Sequence, residues 1–121
     1  MKLLWSEFYA KSLIKQIKYL EDQELSILSI YQLLPSYPWP QKWDVYFYID
    51  ATILQILDEY RLSNLISNSY KSEIINREKL NYLRANRIIC RSSWAIKSLI
   101  KDYKIDKSKI SLVPGGANLD I

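Results

Sequence analysis

Residues 87–113, RIICRSSWAIKSLIKDYKIDKSKISLV, change their hydrophobic period twice within one short run. Arg87 to Arg91 carries three successive apolar residues, Ile88, Ile89 and Cys90, as a strand buried on both faces requires. Ser92 or Ser93 then opens a segment in which Ala95, Leu99, Ile100 and Tyr103 fall on one side of a helix. After the turn KIDKSK, Ile110 to Val113 is again a strand, ending at Pro114-Gly115-Gly116. Strand, helix and strand in this order form a βαβ unit, whose two strands lie parallel.

The same alternation extends upstream. Val45 to Ile49 (VYFYI) is uncharged, β-branched and aromatic, hence a strand, and it stops at Asp50. A helix is expected from Ala51 to about Tyr60, capped by Asp50, with Ile53, Leu54 and Leu57 inward and Asp58 and Glu59 outward. Serine and asparagine in LSNLISNS mark a loop, and Ser72 to Arg84 reads as a second helix supported by a Glu73–Arg77 pair and ended near Asn86. Leu25 to Leu34 (LSILSIYQLL) has the composition of a buried parallel strand closed by Pro35, before the stiff loop SYPWPQKW. Ahead of it, Ala10, Leu13, Ile14, Ile17 and Leu20 make one helical stripe over Glu7 to Leu20. Lys11, Lys15 and Lys18 share the opposite face, either a solvated exterior or a surface for anionic lipid head groups. The expected architecture is α/β, a Rossmann-like parallel sheet with flanking helices covering both faces, in a single domain without internal repeats.

Composition restricts the chemistry. The 121 residues are 49% apolar and 25% charged, with two glycines, four prolines and a net charge of +4. That length and balance suit one compact domain and exclude collagen-like or low-complexity chains. There is no histidine and one cysteine, Cys90, which leaves no internal disulfide, no zinc or copper ligand set and no Ser-His-Asp or Cys-His arrangement. Carboxylate acid/base chemistry, hydroxyl and amide hydrogen bonding, and cationic contacts to phosphate remain. The basic excess is spread along the chain, so nucleic-acid binding is not expected. Glu7 and Lys11 interrupt any signal-peptide core, and prolines break the longest uncharged run, so neither a secretory leader nor a spanning helix is expected.

Ligands of parallel α/β sheets sit outside the carboxyl ends of the strands. Asp50 and Thr52 occupy one such end, Ser92 the next, and Gly115, Gly116 and Asn118 the last. Asp50 is a helix cap, a carboxylate for substrate hydroxyls, or both; Ser92 divides in the same way. Trp94 is expected to pack against the sheet. The paired glycines imply either a turn with positive φ or a close approach of the backbone to another group, and they form no phosphate-binding fingerprint.

Several stretches together resemble a family. YIDAT at Tyr48–Thr52, DEY at Asp58–Tyr60, SNLIS at Ser63–Ser67 and the run ANRIICRSSWAIKSLIKDYKIDKSKISLVPGGANLD from Ala85 to Asp120 are similar to the later part of the N-terminal domain of family 4 (group 1) glycosyltransferases. The resemblance implies a GT-B enzyme of two Rossmann-like domains that transfers a sugar from a nucleotide-activated donor, with retention of configuration, in glycan biosynthesis. It implies that residues 1–121 are the acceptor-side domain, with Asp50 as a catalytic candidate and Thr52, Ser92, Gly115, Gly116 and Asn118 as substrate-binding candidates.

Three departures bear on activity. The Glu-x7-Glu pair of the donor-binding second domain has no counterpart, since no glutamate here is followed by another eight positions later, and the first 47 residues lack the family's glycine-rich loop. Many relatives also carry histidine near the Asp50 position, whereas this chain has none, so a histidine-based role is not carried over. The expectation is a partial glycosyltransferase, inactive alone, needing neither metal nor cofactor, whose partners in a complete enzyme are a nucleotide-sugar and a glycan or lipid-linked acceptor. A donor-binding domain supplied in trans is the implied protein partner. The expected location is cytoplasmic, with peripheral contact at the inner membrane face. The alternative is a non-catalytic binding or adaptor module built on the same fold.

Overall fold

The computed structural model describes residues 12, 15, 16, 20, 23–30 and 39–115. The helix expected over Glu7–Leu20 lies mostly outside these residues, as do positions 31–38, Gly116 and Asn118. The order of elements is β1 (Ser26–Ile30), β2 (Asp44–Ile49), α1 (Ile53–Glu59), a 3₁₀ turn (Leu62–Leu65), α2 (Asn68–Arg84), β3 (Arg87–Cys90), α3 (Ser93–Lys101), a second 3₁₀ turn (Lys107–Lys109) and β4 (Ile110–Leu112). The four strands pair in chain order, β1-β2-β3-β4, and every pairing is parallel. The fold is therefore α/β and Rossmann-like, as expected from the alternation of periods.

Register determines which side chains meet the helices. Val45, Phe47 and Ile49 alternate inward along β2, Ile88 is level with Phe47, and Cys90 is level with Ile49. These residues join Tyr82 of α2 with Ala95 and Leu99 of α3 in one buried cluster that also takes in Tyr103 and Ile105. Phe47 and Tyr82 meet edge to face at 5.7 Å, and Tyr82 meets Tyr103 at 5.5 Å, so aromatic rings bridge sheet and helices.

The sheet differs from expectation at its edge. Coverage on both faces was expected; strand order follows chain order, so right-handed connections deliver the described helices to one face, while the helix expected over Glu7–Leu20 lies mostly outside the described residues. The described helices accordingly pack on the Val45–Phe47–Ile49 side. The stretch Leu25–Leu34 was expected to hold a buried strand, whereas among the described residues β1 is the sheet edge; Leu28 is 60% and Ile30 50% exposed, and only Ser29 is buried. A run of apolar residues cannot distinguish a central strand from an edge, because neighbours are assigned by topology.

Local boundaries moved for identifiable reasons. Helix α2 starts at Asn68 rather than Ser72, because the Ser67 hydroxyl accepts the Tyr70 N–H at 3.2 Å and caps it. The serine-rich stretch therefore starts a helix as well as breaking one. Within α2, Arg77 Nε lies 3.7 Å from Glu73 Oε1, the expected pair. Past its end, Asn86 accepts the Val45 N–H at 2.8 Å and donates to Asp44 Oδ1 at 2.6 Å, aligning the entry to β3 with β2.

Candidate functional site at the carboxyl ends of β2 and β3

Helix α1 is only seven residues long, too short to be stable by propensity. Its first-turn amides are instead satisfied by side chains from three elements. The Thr52 hydroxyl accepts the Gln55 N–H at 3.3 Å while Gln55 Oε1 accepts the Thr52 N–H at 3.1 Å, a reciprocal capping box. The Ile53 N–H points at both carboxylate oxygens of Glu78, each 3.0 Å away, and the Leu54 N–H donates to the Tyr103 hydroxyl at 3.3 Å.

Glu78 is 4% exposed. A buried carboxylate needs donors around it, and here Tyr82 donates at 2.6 Å and Tyr103 donates as well. Burial, and then the neighbouring Glu78 charge, push the Tyr103 phenol far above its ordinary value, so it remains a donor at any physiological pH. Next to this network, the Thr52 and Ser98 hydroxyls are 2.9 Å apart, and Ser98 donates to Asp102 at 2.8 Å. Helix α1 is thus tied by its first turn to α2 and to the α3 region, which aims its last turn at the strand ends.

There the end of β2 meets the end of β3. The Ser92 hydroxyl donates to the Asp50 carbonyl at 3.3 Å and accepts the Ala95 N–H at 3.3 Å, while the Arg91 N–H bonds the Ile49 carbonyl at 2.9 Å. Above this junction lies a cavity of about 470 Å³ lined by Asp50, Ala51, Ile56, Glu59, Tyr60 and Trp94. Tyr60 is 70% and Trp94 45% exposed, leaving both rings available to a ligand. Trp94 is held from below, because its carbonyl accepts the Gln55 side-chain amide at 2.9 Å. Among the described residues, no hydrogen bond or ion pair engages the Asp50 or Glu59 carboxylate. A second cavity of about 460 Å³ continues between α1 and α3, sharing Glu59 and Trp94 with the first and reaching Lys97 and Lys101.

The residues singled out in the sequence fall into distinct positions. Asp50 lines the cavity, but it does not cap α1; Thr52 does. The cap lies two residues later because Asp50 and Ala51 turn out of the strand before helical geometry begins. Thr52 is fully buried, with its hydroxyl engaged by the cap and by Ser98, beneath the cavity. Ser92 is the N-cap of α3 and joins the two strand ends. Gly115 does not have positive φ; a Cβ there would lie 2.7 Å from Arg91 Nη2, so close approach is its distinguishing feature. Gly116 and Asn118 lie outside the described residues.

Three lining residues escaped sequence reasoning. Trp94, expected against the sheet, opens onto the cavity, and Glu59 and Tyr60 line it from the end of α1. The available signal was the DEY stretch at Asp58–Tyr60, whose position at the far end of a one-sided helix left its neighbours undetermined. Among the described residues no group of three or more metal-ligating side chains comes together, and no helix is long and apolar enough to cross a membrane. No protein-family model, curated protein or solved structure matches this chain.

Proposed function

We propose that this chain is the acceptor-side domain of a retaining glycosyltransferase and that the Asp50–Trp94 cavity receives the acceptor sugar. The observation that carries this reading is the composition of the cavity wall: two exposed aromatic rings, Tyr60 and Trp94, beside two uncommitted carboxylates, Asp50 and Glu59. Aromatic faces pack against the apolar face of a sugar ring, and carboxylates accept charge-assisted hydrogen bonds from its hydroxyls. The cavity volume lies within the range of small-molecule sites, and it sits at the strand ends where α/β sheets bind ligands.

In this reading Asp50 accepts a hydrogen bond from the reacting acceptor hydroxyl and takes its proton as the new glycosidic bond forms. The donor's nucleotide diphosphate leaves with the electron pair of the broken bond, and the groups that stabilise it are supplied outside the described residues. The resemblance of Tyr48–Thr52 and Ala85–Asp120 to family 4 glycosyltransferases supports the same assignment.

Saturation-transfer NMR of the full chain with a panel of monosaccharides tests the proposal. Signal transfer to at least one sugar, lost in Asp50→Ala and in Trp94→Ala while both variants remain folded, is the expected result. Absence of transfer to every sugar tested sinks it. A transfer assay with nucleotide-sugars, with and without a donor-binding domain added in trans, then separates an enzyme half from a saccharide-binding module.

A further inference from the structure

The wall of the cavity is shared by two helices, and one side chain joins them. Glu59 and Tyr60 come from the end of α1, and Trp94 comes from the first turn of α3. Gln55, in the first turn of α1, reaches both. Its Oε1 accepts the Thr52 N–H at 3.1 Å, and its Nε2 donates to the Trp94 carbonyl at 2.9 Å. The first bond belongs to the capping box, whereas the second leaves α1 and spans 39 positions of sequence. Gln55 lines the seam between the two helices but not the Asp50 cavity, so it acts on a ligand there only through Trp94.

The identity of this residue exceeds what the cap requires. Glutamate completes a capping box as well as glutamine does, and its charge is favoured at a helix N-terminus. An ionised carboxylate, however, offers acceptors only, whereas a primary amide offers an acceptor and two N–H donors. The two partners here demand one of each: the Thr52 N–H needs an acceptor and the Trp94 carbonyl needs a donor. We infer that Gln55 is a positioning residue of the cavity, the amide that holds the Trp94 backbone, and with it the indole, in the wall that Tyr60 completes. Trp94 is 45% exposed, and a ring with so much of its surface in solvent depends more on the anchorage of its backbone than a buried ring does. The consequence for binding rests on the saccharide reading above: an indole already in place stacks on a sugar ring without first being ordered by it.

Fluorine NMR of the full chain labelled with fluorotryptophan tests this, with the Trp94 resonance assigned through its loss in Trp94→Phe. Gln55→Glu keeps the acceptor for the Thr52 N–H and removes the donor to Trp94. Its unfolding midpoint should stay close to that of the unsubstituted chain, while the Trp94 resonance shifts or broadens and those of the other three tryptophans do not. Affinity for the tightest binder among glucose, galactose, mannose and N-acetylglucosamine should fall about fivefold or more in the same variant. Gln55→Met removes both bonds, so it should move the Trp94 resonance and lower the midpoint as well, and it carries the comparison should the glutamate variant fail to fold. Ser67→Ala, which removes the cap of α2, should lower the midpoint without moving the Trp94 resonance. A Trp94 resonance unchanged in the Gln55 variants, or moved as far by Ser67→Ala, overturns the inference, and so does an affinity that is unchanged when the resonance has moved. If none of the sugars binds, the proposed function fails, and the Trp94 resonance alone still decides whether Gln55 places the indole.

Discussion

Glu78, in the middle of α2, holds the first amide of α1 at 3.0 Å through each of its carboxylate oxygens. A side chain 25 residues downstream thereby fixes the start of a helix too short to persist alone, and that helix carries two of the cavity's lining residues at its far end.

Replacing Glu78 with Leu should be strongly destabilising. The change strands the Ile53 N–H and the Tyr82 and Tyr103 hydroxyls without their acceptor, and buried donors left unpaired cost about 1–3 kcal/mol each. A loss of about 3 kcal/mol in urea unfolding is expected, with Glu78→Gln intermediate. An unchanged midpoint for Glu78→Leu would show that the network contributes nothing net.

Asp50 and Thr52 should separate binding from stability although only Ala51 lies between them. Asp50→Ala removes an exposed, unpartnered carboxylate, so stability should stay within about 0.5 kcal/mol while saccharide binding is lost. Thr52→Ala removes a cap and a buried hydroxyl pair, and should cost about 1–2 kcal/mol. Thermal melts of both variants, paired with a binding assay, give the comparison.

Cys90 should impose an alkaline limit on stability. Burial pushes its thiol up to about 11 from an ordinary value of 9.0. Above pH 9 the unfolded chain therefore loses this proton while the folded chain retains it, so the unfolded state binds fewer protons and stability falls as pH rises towards 11. Cys90→Ala should flatten that part of the pH profile, at the cost of a small cavity. Alkylation at pH 8 should be slow in the folded protein and rapid in urea.

Gly115 should accept alanine. Its φ is not positive, and the atoms a Cβ would meet belong to the Arg91 guanidinium, the mobile end of a long side chain. A change within about 0.5 kcal/mol is expected. A larger loss, undiminished when Arg91 is also made Ala, would point to a backbone requirement instead.

The alternation of strand and helix was legible along the chain because period-two and period-3.6 patterns are local properties of a sequence. RIICR followed by a serine and a one-sided apolar helix can scarcely fold otherwise, and the absence of histidine excludes whole classes of chemistry without any coordinates. Asp50 was legible as a candidate at a strand end for the same reason, since it follows the clearest strand. What only the tertiary structure decided depends on residues distant in sequence. Strand order placed the described helices on one face and left Leu28 and Ile30 exposed at an edge. Glu78 and Tyr103 reached back 25 and 49 residues to the start of α1, leaving the cap to Thr52. Trp94 and Tyr60, separated by 33 intervening residues, came to line one cavity because β3 lies beside β2 in parallel. Hydrophobic period records which face of an element is buried; which elements share that burial follows from pairing and packing across the whole chain.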